Sequence, residues 1–441
     1  MFEITGDYIT VRDLQVKNSN WMGLVIRGDH CDILRVWVEG HMEQGLLVTG
    51  GYELIDDCDI TKNAQRGYSG PGWACALCLA HGGHNTIVQN TRSWENHGEG
   101  LSSWSGSGGE SYGNVIQDCV AWDNWANNIY LSNTWDCLVQ RNLVYNTFET
   151  SQGIEVGDEY STMQNHDNTI INNVVIGCSE NFKWWSGPSS SDGMRGFVIA
   201  HNTFINATDV NIEVQGGGGS HTGCQFVNNI VYQQSGDIAN FEAGFNGIEF
   251  SHNIWSQSAG TGDIVTNPKI NSDGSLQSDS PAIDAGLAGY ATDDVTGAAR
   301  DSLPDIGAYE YMGVVNPTNT PVNTVEPTLT STIEPTATSE SPTVTRTATA
   351  TVGSETVVVI YTPRPTYTVN PTYTPMPTYT ANPTYTPWPS RTPTSTPSPT
   401  FTVLPTATEY PTHTPYPTQT PYPTHTPYPT YTPYPTHTPF M

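Results

Sequence analysis

The chain has 441 residues, with 43 acids against 15 Lys and Arg and a formal net charge of −28. Such a surface repels nucleic acid and anionic membrane, and repels polyanionic glycans unless a cation bridges the two. No stretch reaches the apolar length of a transmembrane helix, so membrane insertion is not expected.

Composition divides the chain in two. Residues 1 to about 312 are rich in Gly, Asn and aromatics with short β-branched runs, and from Gly313 onward Thr and Pro dominate. The N-terminal portion keeps 38 acids and 12 bases. Its opening pattern, Tyr8-Ile9-Thr10-Val11, already reads as a strand, with no signal peptide before it, so a missing N-terminal region is expected. Few bases, many Asn and Gly residues and a Thr/Pro tail suit an extracellular or cell-surface protein.

A single unit recurs throughout the N-terminal portion. Asn142–Val156, NLVYNTFETSQGIEV, holds an Asn at a turn, a short apolar strand, a polar excursion, then Gly153 and an alternating strand. NTRSWENHGEGLSSW and NTFINATDVNIEV repeat it. Units of this length that cannot bury an apolar face alone imply a stacked solenoid. Aligned at the turn, the column reads Leu14, Val36, Cys58, Asn90, Cys119, Asn142, Asn173, Asn202, Asn229 and Asn253. Three residues earlier stands an apolar column: Val11, Ile33, Ile55, Ile87, Ile116, Val139, Ile170, Ile199, Phe226 and Phe250. The second is a buried stripe. Asn tolerates a tight turn, and in stacked coils its amides can hydrogen-bond from rung to rung.

An Asn ladder, three short strands per rung and a rung of 22 or more residues resemble the right-handed parallel β-helix, the pectin-lyase-like superfamily, over roughly residues 5 to 260. The fold class expected is therefore all-β, a parallel β-helix solenoid of about ten rungs. The domain layout is 1–260 for the β-helix, 261–312 for a C-terminal cap and 313–441 for a low-complexity stalk. The cap segment, SPAIDAGLAGYATDDVTGAARDSLPDIGAYEY, breaks the period where an open sheet edge must be covered. In the stalk every third residue from His413 to Phe440 is large, the period of polyproline II. Two readings stay open for it, a disordered linker and a rod carrying O-linked glycans.

Candidate chemistry lies on the strand after the excursion. Its inward positions read Leu24, Leu46, Leu77, Leu101, Ile129, Ile154, Phe182 and Ile212, then Ile26, Val48, Leu79, Ser103, Leu131, Val156, Trp184 and Val214. Alternation sends the residues between them outward. The first outward column is Val25, Leu47, Cys78, Ser102, Tyr130, Glu155, Lys183 and Glu213. The second is Arg27, Thr49, Ala80, Trp104, Ser132, Gly157, Trp185 and Gln215. The excursions beside this face add His97, Glu99, Trp125, Asn127, Phe148, Glu149 and Asp209. In the family resembled, this sheet and its loops form the substrate groove. Aromatic rings beside carboxylates suit sugars, so a polysaccharide is the expected partner. Trp104, Trp185, Gln215 and Trp125 are the candidate binding residues.

Three accounts of the charged stripe compete. A hydrolase would use Glu155 and Glu213, roughly 9.6 Å apart at two strand spacings, near the upper end of the ~6.5–9.5 Å range of an inverting pair. Lys183 between them opposes this, because a cation lowers a neighbouring carboxyl pKa. A lyase would use Lys183 as base and Tyr130 as proton donor, with Ca²⁺ on nearby acids, and flanking carboxylates oppose that by keeping Lys183 protonated. The third account is a solvated ion-pair ladder, Glu155–Lys183–Glu213, worth little because it is exposed. A non-enzymatic adhesin or spacer remains the alternative function.

Weaker candidates are a lone C-x-x-C at Cys75 and Cys78, read with the other cysteines as mostly buried thiols. Asp56, Asp57 and Asp59 form an acidic turn that could hold Ca²⁺. His81 and His84 flank a Gly pair. Asn206-Ala-Thr208 is a glycosylation sequon.

Overall fold

The computed structural model describes residues 1–313 apart from 67–73, 107, 148, 160–164, 188–192, 216–220, 235–236, 243 and 258, together with a strand pair further on. The chain winds as a right-handed solenoid of short parallel strands in three sheets. Sheet A holds ten strands: Phe2–Ile4, Leu24–Ile26, Leu46–Val48, Cys75–Ala80, Glu99–Trp104, Asn127–Ser132, Gln152–Asp158, Glu180–Ser186, Val210–Val214 and Ala239–Phe241. Sheet B also holds ten, from Thr10–Arg12 to Ile248–Ser251, and sheet C nine, from Gln15–Lys17 to Ile230–Tyr232. Each of the first nine coils contributes one strand to each sheet in the order A, B, C, and the tenth contributes to A and B.

Both inward columns of sheet A stand as read. Leu24, Leu46, Leu77, Leu101, Ile129, Ile154, Phe182 and Ile212 are register partners in series. They join the apolar columns of sheets B and C in one core that fills the solenoid. A strand of three to seven residues buries too little apolar surface to stand alone, so each coil is stable only against its neighbours.

The turn between sheets B and C is built from two residues with separate tasks. The first adopts a left-handed backbone: Asp118, Arg141, Asn172, His201, Asn228 and His252 all have φ between 52° and 57°. The second is the ladder residue. Asn142 Nδ2 donates to Asn173 Oδ1 at 2.9 Å, Asn173 to Asn202 at 3.0 Å, Asn202 to Asn229 at 3.0 Å and Asn229 to Asn253 at 3.1 Å. The same oxygens accept the backbone N–H of the preceding Asn. Each Nδ2 also donates to a carbonyl of the coil before, as Asn173 does to Val139. Asp263 ends the run by accepting both donors of Asn253. The tight turn thus falls to the residue before the ladder Asn, and the ladder amide serves to satisfy buried polar groups.

That division corrects the alignment of one rung. Asn90 occupies the left-handed position, φ 50°, and its side chain donates to Asp56. The ladder residue there is Thr91, whose Oγ1 accepts from Cys58 N. The core residue of the rung is Val88, fully buried and in register with Ile55 and Ile116, whereas Ile87 is 38% exposed. A one-residue slip exchanges the two faces of a strand, and the long gap before this rung hid it.

A second amide ladder stands at the corner between sheets C and A. Asn63, Asn96, Asn124, Asn128 and Asn146 donate one to the next over 2.8–3.1 Å. Its irregular spacing along the chain carried no signal.

Residues 261–312 fold back along the turn between sheets B and C. Arg141 pairs with Asp293, Asn172 Nδ2 donates to Asp293 O, Asn228 Nδ2 to Leu287 O, and Ala308 N to Thr203 Oγ1. Arg300 is buried, ion-paired with Glu310, and donates to Asn172 Oδ1. A small apolar cluster around Ile230, Ile254, Leu276 and Ile306 closes the last coil. Of the Thr/Pro-rich segment only the antiparallel pair Ala348–Val352 and Glu355–Val359 is described. The polyproline period expected from His413 to Phe440, and the O-linked glycans expected on one reading of it, fall outside the described residues.

Truncating a central ladder Asn leaves buried donors and acceptors unmade, at about 1–3 kcal/mol for each. Asn173→Ala is therefore expected to lower the unfolding midpoint several-fold more than Asn90→Ala, measured by thermal denaturation followed by far-UV circular dichroism.

Candidate functional site

Sheet A carries a groove of about 890 Å³ on its outer face. Its floor and walls follow from the strand register. Trp104, Ser132, Gly157 and Trp185 lie side by side on four successive strands. Two indoles thus stand three strand spacings apart, about 14 Å, with two small residues between them. Gly157 has to be small: a Cβ there would collide with the Tyr130 hydroxyl and the Trp185 indole. A third indole, Trp125, is 42% exposed at the groove's edge and stacks on His97 with centroids 4.7 Å apart. His81 lines the other end and meets Trp104 edge to face.

Carboxylates occupy the adjoining column. Tyr130 and Glu155 are register partners, both buried and both lining the groove with Glu99 and Glu159. Tyr130 donates its hydroxyl to Glu159 Oε1 at 2.8 Å. Asn127, with its amide turned to donate, places its nitrogen 2.7 Å from Glu155 Oε2 and 2.9 Å from Gln152 Oε1.

Burial dominates the acidities here. Loss of solvent pushes the Glu155 carboxyl up to about 8, against the pull of Lys183. Burial also raises Glu99 to about 7, helped by the Glu159 charge and opposed by a hydrogen bond from Ser102. Tyr130 is raised well above its ordinary value by burial and by the three surrounding carboxylates. The expected lowering of Glu155 by Lys183 is therefore present but overruled by desolvation.

The groove divides the residues singled out in sequence. Glu155, Tyr130, Trp104, Trp185 and Trp125 come together in it. Lys183, Glu213 and Gln215 follow on the next strands and do not line it. Lys183 Nζ lies 3.3 Å from Glu213 and 3.4 Å from Glu180, its side chain only 14% exposed. The solvated ladder expected there is thus a largely enclosed ion cluster. Burial favours a neutral Lys183, but Glu155, Glu180 and Glu213 together outweigh it and raise its pKa. Glu159 had no signal in sequence, because it lies beyond the alternating stretch of its strand. Glu99, Asn127 and Gln152 share one register column just before that stretch.

Cys75 and Cys78 form a disulfide in the groove wall, where thiols were expected, and the other six cysteines are free and buried. Asp59 pairs with Arg92, and Asp56 accepts from Gln89 and Asn90. His84 joins a row of rings, Tyr8, His30, Tyr52, His84, Tyr112, Trp135 and His166, stacked face to face except where Tyr52 meets His84 edge on. Asn206 is an exposed turn residue with φ 54°.

The raised acidities fix a pH dependence. A carboxyl that holds its proton to about pH 8 when folded, but only to about 4.3 when unfolded, contributes stability that is complete below the lower value and lost as pH rises to the upper one. Unfolding in denaturant is expected to need less denaturant at about pH 9 than at about pH 5, and Glu155→Gln is expected to flatten that fall. Equal slopes in the two proteins would show that Glu155 titrates normally.

The chain is similar to several proteins of known structure. Pectate lyase Pel9A is 18% identical over 67% of this chain and 76% of its own, with a TM-score of 0.46. The A-module of a mannuronan C-5 epimerase of Azotobacter vinelandii is 13% identical over 58% and 64%, with a TM-score of 0.32. The catalytic unit of a thermostable GH87 α-1,3-glucanase of Streptomyces thermodiastaticus strain HF3-3 is 12% identical over 60% and 56%, with a TM-score of 0.38. Similarity at this level says nothing of a substrate. No curated protein matches the sequence. Residues 45–191 match the family described as a right handed beta helix region, within the stretch that winds as three parallel sheets.

Proposed function

We propose that the protein binds a polysaccharide in the sheet A groove and hydrolyses a glycosidic bond there, with Glu155 as proton donor. One observation carries the reading: a buried carboxyl, protonated at neutral pH, opens onto a groove walled by indoles. A general acid for glycoside cleavage needs a raised pKa, and burial supplies it. Indole faces accept the C–H faces of sugars, while Asn127, Gln152 and Glu159 offer partners to hydroxyls. Glu99 and Glu159 are the carboxyls available as the second acid–base group, in place of Glu213, which lies outside the groove.

The lyase reading loses its base. Glu180 and Glu213, at 3.4 Å and 3.3 Å, favour a protonated Lys183, and Lys183 is not among the residues that line the groove. An extracellular site of action and a glycan-bearing stalk belong to the same proposal, since a polymer of this kind is met outside the cell.

The test is a panel of polysaccharides assayed for new reducing ends and for unsaturated ends. Reducing ends alone are expected. Glu155→Gln should lower turnover by about 10²–10⁴-fold and leave binding intact. Trp104→Ala or Trp185→Ala should weaken binding about tenfold, roughly 1.4 kcal/mol. Unsaturated products would select a lyase. Binding without any product would leave a recognition module, and no interaction with any glycan would leave a spacer.

A further inference from the structure

The Thr/Pro-rich segment changes character once. Between Pro342 and Pro363 it runs for 20 residues without proline, whereas no other interval between its prolines exceeds seven. Thirteen of those 20 residues are Thr, Val or Ile, the β-branched types that favour strands. The interval's two charges, Arg346 and Glu355, cancel. The strand pair described outside the solenoid falls inside this interval. Ala348–Val352 runs antiparallel to Glu355–Val359, in register from Ala348 opposite Val359 to Val352 opposite Glu355. Gly353 and Ser354 stand between the strands, a pair that two-residue hairpins use.

Such a hairpin is incomplete. Two strands of five residues are marginal in water, and a third or fourth strand is what makes so small a sheet persist. Among the described residues no other strand joins this sheet. An unpaired edge presents a row of backbone N–H and C=O groups, and natural edges are blunted by proline, lysine or a bulge. Neither strand holds a proline or a lysine, and their register is unbroken. The two edges are not equal. Ala348–Val352 contains two alanines, poor strand formers. Glu355–Val359 runs through Thr356, Val357, Val358 and Val359, with Ile360 and Tyr361 following before the next proline. The second edge is the stronger template.

A second copy of the chain supplies the same edge. Antiparallel pairing of identical edges about a two-fold axis is isologous, stops at two copies and makes a four-stranded sheet. Charge permits this here and opposes it elsewhere. Residues 1 to about 312 hold 38 acids against 12 bases and repel their like, while the proline-free interval is neutral. We propose that the chain dimerises through this hairpin, the Glu355–Val359 strand of one copy pairing antiparallel with the same strand of the other.

Sedimentation velocity of the full chain tests this over about 1–100 μM, a range in which mass action exposes a reversible dimer. A monomer–dimer equilibrium is expected. Val357→Pro removes a backbone donor from the strand and Val358→Lys places a charge on it, and each should weaken the dimer at least about tenfold. The thermal midpoint of the solenoid, followed by far-UV circular dichroism, should stay where it is in both variants. A shift there would place the hairpin against the solenoid and overturn the pairing between copies. A chain that stays monomeric to the top of the concentration range, a dimer that either substitution leaves intact, or assembly that continues past two copies overturns it as well.

Discussion

Every coil of this solenoid leaves its backbone half satisfied until the next coil is laid on it. A strand of three residues has no partner within its own turn, and its inward residues meet nothing until a neighbour closes over them. The amide ladder states that dependence in its strictest form. Asn173 accepts from the Asn142 side and donates toward Asn202, and its remaining N–H reaches back to Val139. All its polar atoms are buried, so their hydrogen bonds are compulsory rather than optional. The vertical register of the molecule is thereby fixed to the residue, and everything on the outer face inherits that precision.

The groove is a consequence of this inheritance. Parallel register sets side chains from residues two or three dozen apart at one strand spacing, without any loop needing to place them. Trp104 and Trp185 become two walls, with the small Ser132 and Gly157 between them, because their strands align in series. Tyr130 and Glu155 are neighbours for the same reason. A rigid scaffold of this kind suits a site whose charged groups are expensive to hold, because carboxyls stripped of water cannot relax away from one another.

Legibility in the sequence followed the same logic. Columns of alternating residues within a short strand were readable, since pleat alternation leaves only two choices and the inward set was uniformly apolar. The rung at Ile87 and Asn90 was misplaced because two adjacent aliphatics, Ile87 and Val88, both fitted the core column. Asn90 also imitated a ladder residue while filling the turn position beside it. Burial was not readable at all. Glu155 and Lys183 look exposed on an outer sheet face, and only the depth of the groove and the closeness of Glu180 and Glu213 reveal otherwise. Glu159 stayed hidden because it lies past the end of the alternating pattern that guided the reading.

Depth also decides which of two opposing electrostatic effects prevails at Glu155. Lys183 stands one strand away and favours the carboxylate, and in water that would settle the matter. Here the lysine is already claimed by Glu180 and Glu213, so its field reaches Glu155 partly cancelled. Glu99 and Glu180 add repulsion from the same sheet, and burial penalises any charge that remains. The outcome is two neighbouring patches of one face with opposite protonation: an ammonium kept charged by its acids, and an acid kept neutral by its surroundings. Pairs of titratable groups driven apart in this manner are the usual basis of acid–base chemistry at neutral pH. A solenoid whose coils admit no slip is well suited to holding them one strand apart.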